Sequence, residues 1–479
     1  MICKSLLHFS IITLLITTTS ICYTQPTNDA FYFNFEQEKH SLSSILSRYI
    51  QIASISGSEK NGGEFLQKLC AENGLYIHQM GNKDGNYNFA ASMQPLSKKL
   101  PNIIFLNHIN VTPSGDIDEW TFPPFSGNIA EGDIWGRGAF DNKGAAIMQL
   151  ASIIEISKIY PKLTAPYNIT FLAVSCEETQ CEGGVKYVVN NHLDYLTPIV
   201  VIGEGSPAIN GILKSNPNQY VFGISVAHKR ALWLKLELKI ETSGHASVPP
   251  LQYANKEMIH ALNRLVKKPE KVQFNQLNTD LLKQLGQLEK GILSFALQHP
   301  NIFKPIIIPQ LRLQHELLAL FTNTITLTKI SSSNKTINTI PHKVTAYLDC
   351  RLLPLASQDY FLVQLKKRLR NDSIKITIIN EMPEMQASNN DNLFYQNLHH
   401  VLSTSYPDSH VTPIFLPNYN DTGIFRSQDI PSYAIMPIKI DRSYLEYIHT
   451  HNEQIPINSL QQGKNIYIKF LKKCLENAQ

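Results

Sequence analysis

No run of five or six like charges occurs anywhere in the 479 residues, and the formal net charge of +4 is small for that length. Without a concentrated basic stretch there is no phosphate-binding surface, so nucleic acid is not expected as a partner. Cysteine is scarce as well. Beyond the N-terminal region only Cys70, Cys176, Cys181, Cys350 and Cys474 remain, an odd set with no repeated spacing that defines no disulfide framework. Cys176 and Cys181 either pair in an oxidising compartment or stay as two buried thiols. The Gly-x-Ser-x-Gly elbow of many serine hydrolases is missing, as are internal repeats and low-complexity segments. With 43% apolar residues, the chain is neither disordered nor fibrous and can bury a substantial core across two or three domains.

Lys4 precedes a mostly apolar stretch from Leu6 to Ile21, and a polar turn follows through Gln25, Pro26 and Asn28. This pattern predicts an export signal over residues 1–25, with Ser20 and Cys22 as the small residues before cleavage and a periplasmic or secreted product. Left uncleaved, the segment is a membrane anchor. Asn-x-Ser/Thr triplets at Asn110, Asn168, Asn334, Asn371 and Asn420 arise by chance in an Asn-rich chain and do not establish glycosylation.

Past a helical opening at residues 42–50 and 63–69, short apolar runs alternate with helical patterns. That alternation predicts an α/β fold whose mostly parallel sheet is covered on both faces. Residues 103–106, 169–174 and 199–202 read as buried strands, and residues 145–159 as a helix packed on them. Ligands gather beyond the carboxyl ends of such strands, which singles out His108, Glu177, Glu178 and Glu204. Near residue 225 the pattern changes to one-residue alternation, as in Leu234, Leu236, Leu238 and Ile240, marking a smaller α+β domain with one wet sheet face. The expected organisation is a first domain over residues 30–224 and 386–479, interrupted by a second over 225–385. A helical insertion at about 269–320 has Leu281, Leu285, Leu288 and Ile292 at helical spacing and is expected to enlarge the second domain.

One histidine among 16 is weak evidence for a metal, and His108 gains weight from its company. Asp141 follows Gly136 and Gly138, which let the backbone turn tightly and bring a carboxylate to the start of a helix. The third glycine of a dinucleotide fingerprint is missing, and Asp141 would repel a pyrophosphate. Glu177 and Glu178 leave a buried strand in different directions, so one can bind a cation while the other faces substrate. A cation-bound water has a pKa near 7, within reach of a neighbouring carboxylate base.

Six motifs then fall in the order seen in a known family. They are Asn-His-Ile-Asn-Val-Thr-Pro at 107–113, Gly-Arg-Gly-Ala-Phe-Asp-Asn-Lys-Gly at 136–144, Glu-Glu at 177–178, Gly-Glu-Gly at 203–205, Gly-His-Ala-Ser-Val-Pro-Pro at 244–250 and Ile-His-Thr-His-Asn-Glu at 448–453. From about residue 40 to the C-terminus the chain resembles the aminoacylase and carboxypeptidase S-like zinc metallopeptidases. The resemblance implies a catalytic domain with two Zn2+ ions, replaceable by Co2+ or Mn2+, and an inserted lid domain able to dimerise. It implies that Asp141 bridges the metals, that His108 and Glu204 complete one site, and that Glu178 and His449 complete the other. His449 is preferred to His451 because the family motif reads Ile-His-x-x-Asn-Glu. By the same resemblance, Glu177 is the general base that activates the bridging water and later protonates the leaving amine. His245 of the lid helps stabilise the oxyanion, from a neighbouring subunit if the lid dimerises. Asn338 and Arg351 hold the substrate's backbone and carboxylate, the latter suited to a guanidinium fork.

The family pattern has Asp where Asn110 stands and Gly where Asn107 stands. Loss of a charged group that orients a metal-ligating imidazole typically costs roughly 10 to 100-fold in affinity or activity. Two functions are therefore weighed: a hydrolase for an amide bond next to a free carboxylate, in a small peptide or an N-acyl amino acid, and a weakened or inactive binder of the same fold.

Overall fold

The computed structural model describes residues 31–81, 85–160, 166–242, 244–334 and 336–476. The expected export segment lies outside them. Eight strands form the larger sheet, in the order His410–Leu416, Val221–His228, Ser432–Ala434, Pro198–Gly203, Asn102–His108, Asn168–Val174, Phe89–Ser92 and Tyr76–Gln79. The sheet is mixed, with a parallel centre: Asn102–His108 pairs in parallel with Asn168–Val174 on one side and Pro198–Gly203 on the other.

The central strands are buried along their whole length, and alternate side chains supply two cores. Ile103, Phe105, Ile169 and Phe171 meet helices Leu42–Ile50, Ala145–Ile159, Leu393–Ser405 and Ile457–Glu476. Ile104, Leu106, Leu172 and Val174 meet Val185–Leu196 and Thr422–Arg426 on the opposite face. Each such Ile, Leu or Phe contributes about 1.5–3 kcal/mol on burial, so continuous apolar runs stay central in the sheet.

The second sheet has four antiparallel strands, in the order Thr324–Ser332, Lys343–Leu352, Arg230–Lys239 and Lys375–Glu381. Leu232, Leu234, Leu236 and Leu238 point to helices Ala254–Lys267 and Gln358–Leu369 on one face only. The chain crosses from the first sheet to the second at Lys229, between Val221–His228 and Arg230–Lys239.

The helical insertion departs from its expected place. Helix Gln276–Leu288 packs Leu281 and Leu285 on Leu213 and Val221, with Ile414 alongside, and the Thr412 hydroxyl donates to Gln284. It thus covers the edge of the larger sheet instead of enlarging the smaller domain, because that edge strand needs apolar cover. Nor do the four apolar positions share one helix. The helix stops at Glu289, whose buried carboxylate accepts the N–H groups of Lys214 and Ser215, and Gly291 turns the chain at φ +63. Ile292 begins a new helix, Gly291–Gln298, facing solvent.

Candidate metal centre

Strand register brings the acidic and imidazole groups to one rim. His108 is the last residue of its strand and pairs with Val174, while Leu106 pairs with Gly203, so Glu204 emerges beside it. After Val174 the chain passes Ser175 and turns at Cys176, whose φ of +72 is left-handed and whose carbonyl accepts the N–H groups of Thr179 and Gln180. That turn presents Glu177 and Glu178 at the rim. It is closed by a Cys176–Cys181 disulfide, so of the two states open to these cysteines the structure has the paired one. Cys70, Cys350 and Cys474 are buried and free.

Asp141 is set by the glycine loop. At Gly138, φ is +84 and an added Cβ would lie 2.6 Å from Val111, so only glycine fits. The peptide from Asp141 to Asn142 is cis. The loop is held by Glu453, a buried carboxylate that accepts from the main-chain N–H groups of Gly138 (2.9 Å), Phe140 (3.0 Å) and Asp141 (2.9 Å) and from Nη1 of Arg137 (2.7 Å). Arg137 also donates to the Thr450 carbonyl. The loop bearing Asp141 and the segment bearing His449 are thereby fastened together.

Around Asp141 two triads form. Nε2 of His108 lies 3.2 Å from Asp141 Oδ1 and 3.1 Å from Glu204 Oε2. Nε2 of His449 lies 3.1 Å from Asp141 Oδ2 and 3.1 Å from Glu178 Oε1. Each oxygen of Asp141 therefore serves a different triad. His451 turns away, with Nδ1 3.1 Å from Glu119. Two ligand atoms on a tetrahedral zinc, each 2.0–2.1 Å from the ion, are separated by about 3.3 Å, close to these spacings. Glu178 Oε1 and Glu204 Oε2 are buried without a hydrogen-bond partner despite the nearby imidazoles. Carboxylate oxygens that each converge with an imidazole nitrogen and an Asp141 oxygen, without an aligned hydrogen bond of their own, mark a cation site, and the donor set suits zinc.

Electrostatics agree with this arrangement. Burial opposes charge on His108, but Glu204, Asp141 and Glu177 outweigh it and hold the imidazole well above its ordinary range. The hydrogen bond that His449 makes to Asp141 and the nearby Glu178 carboxylate push its imidazole up to about 11. For Asp141, burial raises the carboxyl, and the two imidazoles overcome it to leave the pKa below its usual value. Burial pushes Glu177 well above the carboxylate range; His108 opposes this, and the charges of Glu204 and Glu178 reinforce it.

Asn110 sits behind the triads. Its main-chain carbonyl accepts from His108 Nδ1, its side-chain oxygen accepts the Glu177 N–H at 3.1 Å, and its amide donates to Ser56. The neighbouring Asn107 donates to Gln149. Two residues not anticipated from the sequence also border the site. Asp421 lines a small cavity with His108, Asn142 and Glu204 and accepts a hydrogen bond from Tyr419 at 2.6 Å; burial pushes its pKa up to about 7. Asn420 donates to the Glu204 carbonyl. An Asn-Asp-Thr triplet in a polar loop carried no signal of this role, whereas Glu453 ended a motif that had already been singled out.

The lid residues stand apart from the triads. His245 is exposed, and its Nδ1 meets the Ser247 hydroxyl at 2.7 Å. Asn338 is beside it, its carbonyl accepting from Ala246 N–H at 2.8 Å. Among the described residues, neither has a recorded hydrogen bond or ion pair to the metal-ligand groups. In Arg351 the Nε and Nη2 donors meet Asp349 at 2.7 and 2.9 Å, so one of the two bidentate edges of the guanidinium is occupied. Its Nη1 is buried and unpartnered.

Comparison with known proteins gives a consistent picture. The family model described as Peptidase family M20/M25/M40 matches residues 104–473. The probable carboxypeptidase S-like 2 of Dictyostelium discoideum is 25% identical over 392 residues, covering 81% of this chain and 74% of its own. The N-fatty-acyl-amino acid synthase/hydrolase PM20D1 of Mus musculus is 25% identical over 464 residues, covering 92% of this chain and 89% of its own. The fold is similar to that of the metallo-carboxypeptidase Sso-CP2 from Sulfolobus solfataricus, with a TM-score of 0.69 at 18% identity over 90% of this chain and 99% of that one.

Proposed function

The chain belongs to peptidase family M20/M25/M40, and on that premise we propose that this metallo-exopeptidase or amidohydrolase cleaves an amide bond next to a free carboxylate. The substrate class is a small peptide losing its C-terminal residue, or an N-acyl amino acid. One observation carries the reading: the two oxygens of Asp141 are divided between His108 with Glu204 and His449 with Glu178. Two zinc ions held by these five side chains would polarise the scissile carbonyl and make water acidic enough to attack at neutral pH.

The chain's own groups supply the rest. Glu177 is in neither group around Asp141, although its carboxylate lies within 4.8 Å of the ligand atoms of His108 and Glu178, and its buried position favours its protonated form once it has taken a proton from the attacking water. It then passes that proton to the leaving nitrogen. The Asn110 side chain fixes the Glu177 main chain, so the carboxylate is aimed before substrate arrives. Nη1 of Arg351, buried and unpartnered beside the Asp349 pair, would reach a substrate carboxylate only once the lid moves. His245 and Asn338 would reach substrate only by lid movement or from a second chain. The names of two relatives, a carboxypeptidase and an N-fatty-acyl-amino acid hydrolase, support a substrate with a carboxylate beside the broken bond.

The test is zinc analysis of the purified protein together with a turnover screen of dipeptides and N-acyl amino acids. Two zinc ions per chain and hydrolysis of at least one such class are expected. Turnover that survives complete zinc removal, or turnover only of substrates whose carboxylate is blocked, overturns the reading.

A further inference from the structure

The end of the helical insertion is apolar on the outside as well as the inside. Inward, Ile307 and Leu311 pack with Leu282 and Phe321. Outward, Ile292 is 87% exposed, Ile302 74% and Leu313 75%, and Phe295 and Ile306 are also more than half exposed. The outer residues of Lys304–Leu311 and its flanks fall at Ile302, Ile306, Pro309 and Leu313, a four-, three-, four-residue spacing that keeps them on one side. The Phe295 and Phe303 rings meet at 5.5 Å, joining this stripe to helix Gly291–Gln298. A helix apolar on all sides belongs in a protein core or in lipid, yet these two helices are at the surface.

Charge in this segment has one sign. From Lys290 to His315 the chain carries Lys290, Lys304 and Arg312 and no Asp or Glu. The flanking acids are already engaged: Glu289 is buried against the Lys214 and Ser215 N–H groups, and Glu316 pairs with Arg442. We propose that this helical hairpin docks the protein onto an anionic lipid surface, its apolar side chains entering the boundary between headgroups and acyl chains and its cations meeting the headgroups. A second copy of the chain fits less well, because a two-fold contact would set the same cations against each other with no acidic partner. The attachment made by the hairpin is peripheral, since its helices, Gly291–Gln298 and Lys304–Leu311, are eight residues each and too short to span a membrane. It is also independent of the reading of the metal centre.

Co-sedimentation of the full-length, zinc-loaded chain with vesicles tests this, comparing phosphatidylglycerol mixed into phosphatidylcholine with phosphatidylcholine alone. Binding to the anionic vesicles, reduced by added salt, is expected. The double variant Ile302→Asp/Ile306→Asp should bind at least about tenfold more weakly, and Lys304→Ala about fivefold more weakly, with the near-ultraviolet circular dichroism of both unchanged. These surface variants separate the hairpin from any contribution of residues 1–25. The proposal is overturned by any of three results: no sedimentation with anionic vesicles, equal binding by wild type and the double variant, or a concentration-dependent dimer that the double variant abolishes while vesicle binding is absent.

Discussion

The main-chain carbonyl of Asn110 lies 2.8 Å from Nδ1 of His108, and a carbonyl can only accept, so Nδ1 keeps its proton and Nε2, facing Asp141 and Glu204, is the nitrogen that gives up its proton to a cation. The tautomer a metal needs is set by the backbone, whatever side chain stands at position 110. A charge at that position is therefore less important here than the family pattern implies. Asn110→Asp is expected to change zinc affinity by less than about tenfold, below the upper range for loss of an orienting group. Asn110→Ala leaves the Glu177 N–H without its acceptor, a cost of about 1–3 kcal/mol that should lower kcat more than zinc affinity. Chelator competition and steady-state kinetics on both variants decide this. Appearance of activity only in Asn110→Asp would favour the inactive-binder reading.

Glu177→Gln keeps the shape of the side chain and removes its capacity to carry a proton. A fall in kcat of about 10²–10⁴ is expected with the zinc content unchanged, because Glu177 belongs to neither triad around Asp141. A variant that loses zinc in step with activity would make Glu177 a ligand instead.

The divided carboxylate of Asp141 predicts the pattern of metal loss. His449→Ala should retain one zinc per chain after dialysis, and Asp141→Ala should retain none, because both triads use Asp141. Elemental analysis gives the answer directly, and two retained ions in Asp141→Ala would remove it as the shared ligand.

Metal loading should release protons. In the metal-free protein His449 is pushed up to about 11 and His108 well above its usual range, so both imidazoles are protonated at neutral pH and two cations must displace roughly two protons. Zinc affinity then falls as pH falls. The metal-free fold behaves oppositely: the contribution of His449 is fully present below its unfolded value of about 6.5 and is lost as pH rises towards the folded value. Calorimetry in buffers of different ionisation enthalpy counts the protons, and a count of zero would contradict the charge state derived for the site.

Glu177 and Glu178 lie inside the six-residue ring closed by Cys176 and Cys181. Opening a ring of this size frees the turn by about 2 kcal/mol of chain entropy, so reduction or Cys176→Ser/Cys181→Ser should speed loss of the zinc held by Glu178 and His449 by roughly tenfold. Zinc release followed with a chromogenic chelator, with and without reductant, measures it. The zinc shared by His108 and Glu204 should be much less affected.

Periodicity made much of this fold legible. The strands at Asn102–His108, Asn168–Val174 and Pro198–Gly203 are continuous apolar runs because both faces are buried, and their ends marked His108, Glu177, Glu178 and Glu204. His449 was found through a motif, since nothing in local pattern says that a loop hundreds of residues away closes the second triad. The helical insertion was misassigned because apolar spacing shows that a helix packs, and not on what; Leu281 and Leu285 meet Val221 of the other sheet. Asp421 was silent for a related reason: a carboxylate in a polar loop looks solvated until the fold buries it beside Glu204.

Glu453 is 316 residues downstream of Arg137, yet it supplies the acceptor for three main-chain N–H groups of the loop that aims Asp141. A growing polypeptide has no substitute for it. Until the last few dozen residues leave the ribosome, the aspartate has neither its fastening nor its second imidazole, and a half-made chain holds only fragments of a cage. Acquisition of the two proposed ions would thus come late in biosynthesis, and proteins truncated shortly before residue 449 are expected to be made empty.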